Sequence, residues 1–151
     1  MFEAVNQLWL MQVCFSAIAI LGFSIRSNIR GSILIFTSLG GALSWGFYLL
    51  VLDWTSSLLL SIFLSTCIVC IYGELMAKVY KVPVSVFVIC AIIPLVPGSG
   101  LYYSMIAYIG GKSMEALRLM GQTLMIAGTI SVSIALISSL ANMFKTMIRR
   151  F

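Results

Sequence analysis

The stretch from Ile92 to Met105, IIPLVPGSGLYYSM, holds the residues whose types and spacing come closest to a binding chemistry. Pro94 has no amide proton for the carbonyl of Cys90, and Pro97 has none for that of Ile93, so a helix running through here loses its bonds to both carbonyls. Gly98 and Gly100 permit backbone angles that no ordinary helix uses. The expectation is a helix broken close to mid-membrane. Carbonyls freed at such a break can hold a cation or a substrate ammonium. The second half-helix starts with unpaired amides at the positive end of its dipole, which suits a carboxylate. Ser99 is expected at or near that start, with Tyr102 and Tyr103 one turn on. The substrate-binding candidates are therefore Pro94, Pro97, Gly98, Ser99, Gly100 and Tyr102. The competing reading is a plain proline kink in a packed helix.

Glu74 is the acidic residue expected inside a span, and an intramembrane carboxylate is a candidate proton carrier. Lys78 follows four residues later in the favourable order for a helical ion pair, which is the alternative role for Glu74. Cys67 and Cys70 form a C-x-x-C on one helical face, but the sequence contains no histidine and no second such pair to complete a tetrahedral site. They and Cys14 and Cys90 read as small apolar residues, and no metal or cofactor is expected. Enzyme chemistry finds no footing either. No serine or cysteine has a general base predictable near it, and no glycine-rich phosphate loop precedes a charged helix.

The elements that must position these residues follow from composition. Of 151 residues, 62% are hydrophobic and 9% charged, against about 45–50% and about 25% in soluble domains, so water is not the main solvent of this chain. A helix needs about 20 mostly apolar residues to cross a bilayer while satisfying its own amides. Residues 4–23, 31–52, 54–77, 84–109 and 120–144 meet that test. The predicted fold class is all-α: a polytopic membrane protein with five transmembrane helices, the fourth broken at a P-x-x-P-G motif. Residues 1–151 form one transmembrane domain in this reading, with no soluble domain. Glu3 stands where a signal peptide carries positive charge and no cleavage site follows, so the first segment is expected to stay as a span.

The nine basic residues behind the net charge of +5 are scattered and build no continuous face, so nucleic acid is not an expected partner. Membrane orientation explains them instead. Placing Arg26 and Arg30, Lys78 and Lys81, and the tail residues Lys145, Arg149 and Arg150 in the cytoplasm puts seven of the nine inside. The N-terminus is then outside and the C-terminus cytoplasmic, with Lys112 and Arg118 on the disfavoured side. Small residues recur every fourth position as Ser38, Ala42 and Gly46, as Ser57, Ser61 and Ser65, and as Ala127, Ser131 and Ala135. Such spacing lets helices approach closely in lipid, and packing within the bundle is the expected use.

The broken-helix stretch, preceded by GELMAKVYKVP from Gly73 to Pro83, resembles the signature of the threonine/serine exporter family in its small-subunit form. A first span ending in Gly22 and Phe23, a basic joint and a second span rich in small residues keep the same order of elements. Pro94, Pro97 and Gly98 match the P-x-x-P-G core, and Glu74 matches an acidic position ahead of the loop proline. Beyond the glycine the pattern is looser, so the roles of Ser99 and Tyr102 rest on helix-end physics alone. The resemblance implies a split secondary exporter in a bacterial inner membrane, driven by the proton gradient. Its substrates would be small carboxylate metabolites, threonine and serine or succinate-like dicarboxylates. A larger exporter-family membrane subunit would be the partner. An odd number of spans cannot form two equal repeats, which independently asks for such a partner or for a second copy of this chain in a homo-oligomer. The alternative is a non-transporting membrane scaffold or accessory subunit.

Overall fold

In the computed structural model, four of the apolar runs are each one helix and the fourth run, 84–109, is two. The structure describes residues 2–148, without the side chains of residues 2–7, 144–146 and 148. The side chains of Glu3, used in the signal-peptide argument, and of Lys145, and the whole of Arg149 and Arg150, used with it in the orientation argument, therefore lie outside what is described. The helices are α1 (Phe2–Arg26), α2 (Ser32–Thr55), α3 (Leu58–Tyr80), α4 (Val84–Ile92), α5 (Gly98–Ile109) and α6 (Ser113–Ile148), with a 3-10 turn at Ile93–Leu95 after α4. Among the described residues, four helices are long and apolar enough to cross a membrane, and the bent α4–α5 pair makes a fifth span if it crosses as one. The chain is thus a polytopic all-α membrane protein.

Left-handed residues end most helices, as the orphan carbonyls of a last turn require. Asn28, Ser56 and Lys81 have φ of 59°, 52° and 54°, and Gly111 has φ of 77°. The amide of Val82 then reaches back to the carbonyl of Ala77 at 3.2 Å, and that of Lys112 to Ala107 at 2.9 Å. Two predicted boundaries move. Asp53, left between the second and third predicted spans, and Trp54, the predicted start of the third, both belong to the last turn of α2. The final helix starts at Ser113, so Glu115 and Arg118 are helical, and Glu115 pairs with Lys112 at 3.7 Å.

Helix α4 lies against both α2 and α3, α6 packs along α3, and α1 packs along α2. Ile62, Val69 and Cys70 of α3, Val88, Ala91 and Ile92 of α4, and Ile130 of α6 form the centre of the core. Close approach here depends on glycine. A Cβ on Gly41 would meet Ile20, and one on Gly73 would lie 2.5 Å from Val88 Cγ2. Helix α5 is different: its packing is on α6, away from the bundle.

Candidate functional site

The two prolines act differently. Ile93, before Pro94, keeps right-handed helical angles (φ −47°, ψ −43°), so the first proline is absorbed into the 3-10 turn. Val96, before Pro97, is extended (φ −66°, ψ 127°), as the clash of a proline ring with the preceding residue demands, and Pro97 itself has ψ 58°. The helix breaks there, and the two halves meet at 48°.

Two expectations about the break need correcting. The carbonyl of Ile93 is not bare: it accepts from the amide of Val96 at 3.2 Å, because the tighter 3-10 turn brings the next donor within reach. Gly98 and Gly100 adopt no left-handed angles, the positive-φ glycines among the described residues being Gly31 and Gly111. They are the first and third residues of α5, and the turn is made by Val96 and Pro97 instead. Gly100 serves packing, since a Cβ there would run into the Thr123 hydroxyl of α6, whereas a Cβ on Gly98 would meet nothing.

At the start of α5, the Gly98 amide is taken by the carbonyl of Val96 at 2.8 Å and the Leu101 amide reaches Pro97 only at 3.4 Å. The amides of Ser99 and Gly100 have no backbone acceptor among the described residues, and the first turn carries no acidic side chain. Ser99 is exposed, as are Tyr102 and Tyr103, at 59% and 58%, whose rings meet edge to face at 5.5 Å. The break thus brings Pro97, Gly98, Ser99 and Tyr102 to one open end of α5. Its chemistry is that of a short helix offering unpaired amides and phenol hydroxyls to an anion.

Pro94 faces elsewhere. It lines a groove of about 370 Å³ with Gln12, Phe15, Ser16 and Ala19 of α1 and Trp45 of α2. Within it the indole Nε1 of Trp45 donates to Gln12 Oε1 at 3.2 Å. Sequence reasoning passed over this pair, although a glutamine inside an apolar run is itself a signal. Glu74 is half-buried on α3, in a groove shared with Ile137 and Ala141 of α6, and it is engaged there rather than free. Its neighbour Gly73 touches Val88 of α4, from which Pro94 lies six residues, or about 9 Å, farther along at 1.5 Å per residue. The structure does not bring Glu74 to the break.

The predicted small-residue faces divide as well. Ser38, Ser61 and Ser65 are buried, whereas Ala127, Ser131 and Ala135 of α6 are exposed, so this third stripe is not used for packing within the described chain. Instead α6 meets its neighbours through Ala116, Thr123, Ile130 and Ser133, all buried.

No curated protein and no solved structure matches this chain. The model of the family described as threonine/serine exporter, ThrE, matches residues 12–140, from the groove residue Gln12 through the break and most of α6. With nearly the whole helical bundle inside that match, this multi-pass membrane protein belongs to the threonine/serine exporter family.

Proposed function

We propose that the chain is the membrane subunit of a secondary exporter of small carboxylate metabolites, threonine and serine or succinate-like dicarboxylates, working with a larger subunit of the same family. The observation that carries this reading is the open start of α5, where the Ser99 and Gly100 amides lack backbone acceptors next to a 48° break. Irregular backbone at membrane depth is tolerated where it is packed in protein or lines a wet cavity. A carboxylate is the guest that two bare amides and a positive dipole end favour. The exposed stripe Ala127, Ser131 and Ala135 supports a second membrane subunit, since small residues at this spacing let a facing helix approach closely.

In this mechanism, substrate binds at the break and rocking of the subunits exposes it first to one side and then to the other. The proton gradient drives the cycle, with Glu74 as the proton-carrying candidate, acting at a distance from the break. The membrane is the bacterial inner membrane, with the N-terminus outside and the C-terminus in the cytoplasm. Reconstitution with and without the larger subunit, following efflux of labelled threonine, serine and succinate, tests the reading. Efflux of at least one of the three is expected from the pair and from neither subunit alone. No efflux of any of them from the pair would leave the scaffold reading.

A further inference from the structure

The groove beside Pro94 poses a physical problem that α5 does not. Counted from the Arg26, Ser32 and Val84 ends of their helices, Gln12, Trp45 and Pro94 stand about 21, 20 and 15 Å into a hydrocarbon layer about 30 Å thick. Gln12 is then about 9 Å from the opposite face, Trp45 about 10 Å and Pro94 about 15 Å. There the Gln12 side chain is exposed. An indole nitrogen only donates, so the contact from Trp45 Nε1 at 3.2 Å obliges Gln12 to present its oxygen. The amide nitrogen is thereby left with two protons, and among the described residues it has no acceptor. Ser16 at the floor of the groove is already committed, donating to the carbonyl of Gly41 at 2.9 Å.

Hydrocarbon is a poor neighbour for such a group, because a primary amide that loses water without gaining an acceptor is strongly disfavoured. The arrangement makes sense if the groove is wet during part of a transport cycle and an acceptor arrives in it. We infer that Gln12, held in one orientation by Trp45, is a substrate-binding residue of this transporter: its amide nitrogen donates to a carboxylate oxygen of a solute that enters the groove beside Pro94. This inference rests on the exporter reading above. The chemistry suits passage as well as binding. A neutral amide N–H recognises a carboxylate oxygen by a hydrogen bond without the charge that would retain it.

The test uses the full chain with its larger partner in membrane vesicles, with Cys14, Cys67, Cys70 and Cys90 replaced by alanine and a single cysteine introduced as Gln12→Cys or, for a control outside the groove, Ile18→Cys. Ile18 lies on the same helix and is 64% exposed. A charged, water-soluble methanethiosulfonate is expected to react with Gln12→Cys on the order of tenfold faster than with Ile18→Cys, given the cost of carrying a charged reagent into hydrocarbon. Saturating threonine, serine or succinate is expected to slow that reaction, and glycerol is not. Equal rates at the two positions, or no protection by any of the three solutes, overturns the inference. In parallel, Gln12→Leu is expected to raise the KM for efflux by about tenfold, the worth of one hydrogen bond to a charged group, with the maximal rate little changed. Trp45→Phe, which removes only the orienting donor, is expected to raise KM less. Efflux by the unaltered pair with an unchanged KM in Gln12→Leu sinks this inference and leaves the exporter reading standing. Absence of efflux from the unaltered pair sinks the exporter reading, and the labelling contrast then decides whether position 12 meets water and solute. Should Gln12→Leu fail to assemble, the labelling and Trp45→Phe decide.

Discussion

The α1–α4 bundle and the α5–α6 hairpin differ in how often their hydroxyl groups reach a neighbouring helix. In the bundle, several cross between helices, Ser16 donating to Gly41, Ser38 to Ala17 at 2.7 Å, Ser24 to Thr37 at 3.0 Å, and Tyr72 to Phe36 at 2.8 Å, while Ser44, Ser61 and Thr66 turn back onto their own. In the hairpin they turn back onto their own helix, Ser104 to Leu101, Thr123 to Leu119 and Ser131 to Ala127, and Ser133 alone among the described residues also reaches across, to Phe63 of α3 at 3.4 Å. Lipid supplies little hydrophobic force between helices, so cohesion there comes from such crossing bonds and from close backbone approach. The bundle has both. The hairpin is fastened to itself through Gly100 and Thr123, and to the bundle through the part of α6 that lies along α3. A bundle extended by a hairpin arm, tied to it where α6 lies along α3, is what this contrast describes, with the break at Pro97 between them.

The sharpest way to break the comparison is Gly41→Leu. A single Cβ already meets Ile20, and its four added carbons have no space, so a loss of about 3 kcal/mol or more is expected. Unfolding of the purified chain by SDS in mixed micelles would measure it; a change within experimental scatter would mean that α1 and α2 are not in close contact. Gly98→Leu probes the arm. Because the space beside Gly98 is open, folding and assembly should survive, while transport drops about tenfold or more if a charged guest needs that helix start. Unchanged efflux in well-folded Gly98→Leu vesicles would remove the break from the transport site.

Smaller effects sharpen the same contrast. Ser24→Ala deletes one crossing bond but leaves Thr37 donating to Leu34 at 2.9 Å, so about 0.6 kcal/mol is expected, the average for interhelical bonds in membrane proteins. The smallest effect should come from Lys112→Ala at the tip of the hairpin. Its ion pair with Glu115 is largely exposed, at 72% and 50% for the two side chains, and such pairs contribute about 0–1 kcal/mol. Thermal unfolding of both variants in the same detergent would rank them. A larger loss for Lys112→Ala than for Ser24→Ala would reverse the picture of where this molecule is held together.

Much of the frame was legible from residues alone. The helices, their approximate ends and the break between Pro94 and Gly98 follow from local properties, and the family from the resemblance of motifs. A long apolar run must be helical in lipid because its amides have nowhere else to turn, and a proline lacks its donor whatever surrounds it. Even here the division of labour was misjudged: Pro97 and Val96 make the turn, while Gly98 and Gly100 remain helical. Local sterics before a proline decide that, and glycine merely permits it.

Which face of each helix meets protein was not legible. In water, a buried face is marked by its apolarity, but in a membrane the surroundings are as apolar as the core, and periodicity loses its meaning. The small-residue stripes of α3 and α6 therefore look alike in sequence, yet Ser61 and Ser65 are buried and Ser131 is exposed. The meeting of Gln12 with Trp45, residues 33 positions apart, likewise came only from the packing of α1 on α2. The sequence by itself determined that this chain crosses a membrane as broken and unbroken helices of an exporter family. Tertiary structure alone decided which polar groups face one another inside it, because no local rule relates hydrogen-bonding partners on separate helices.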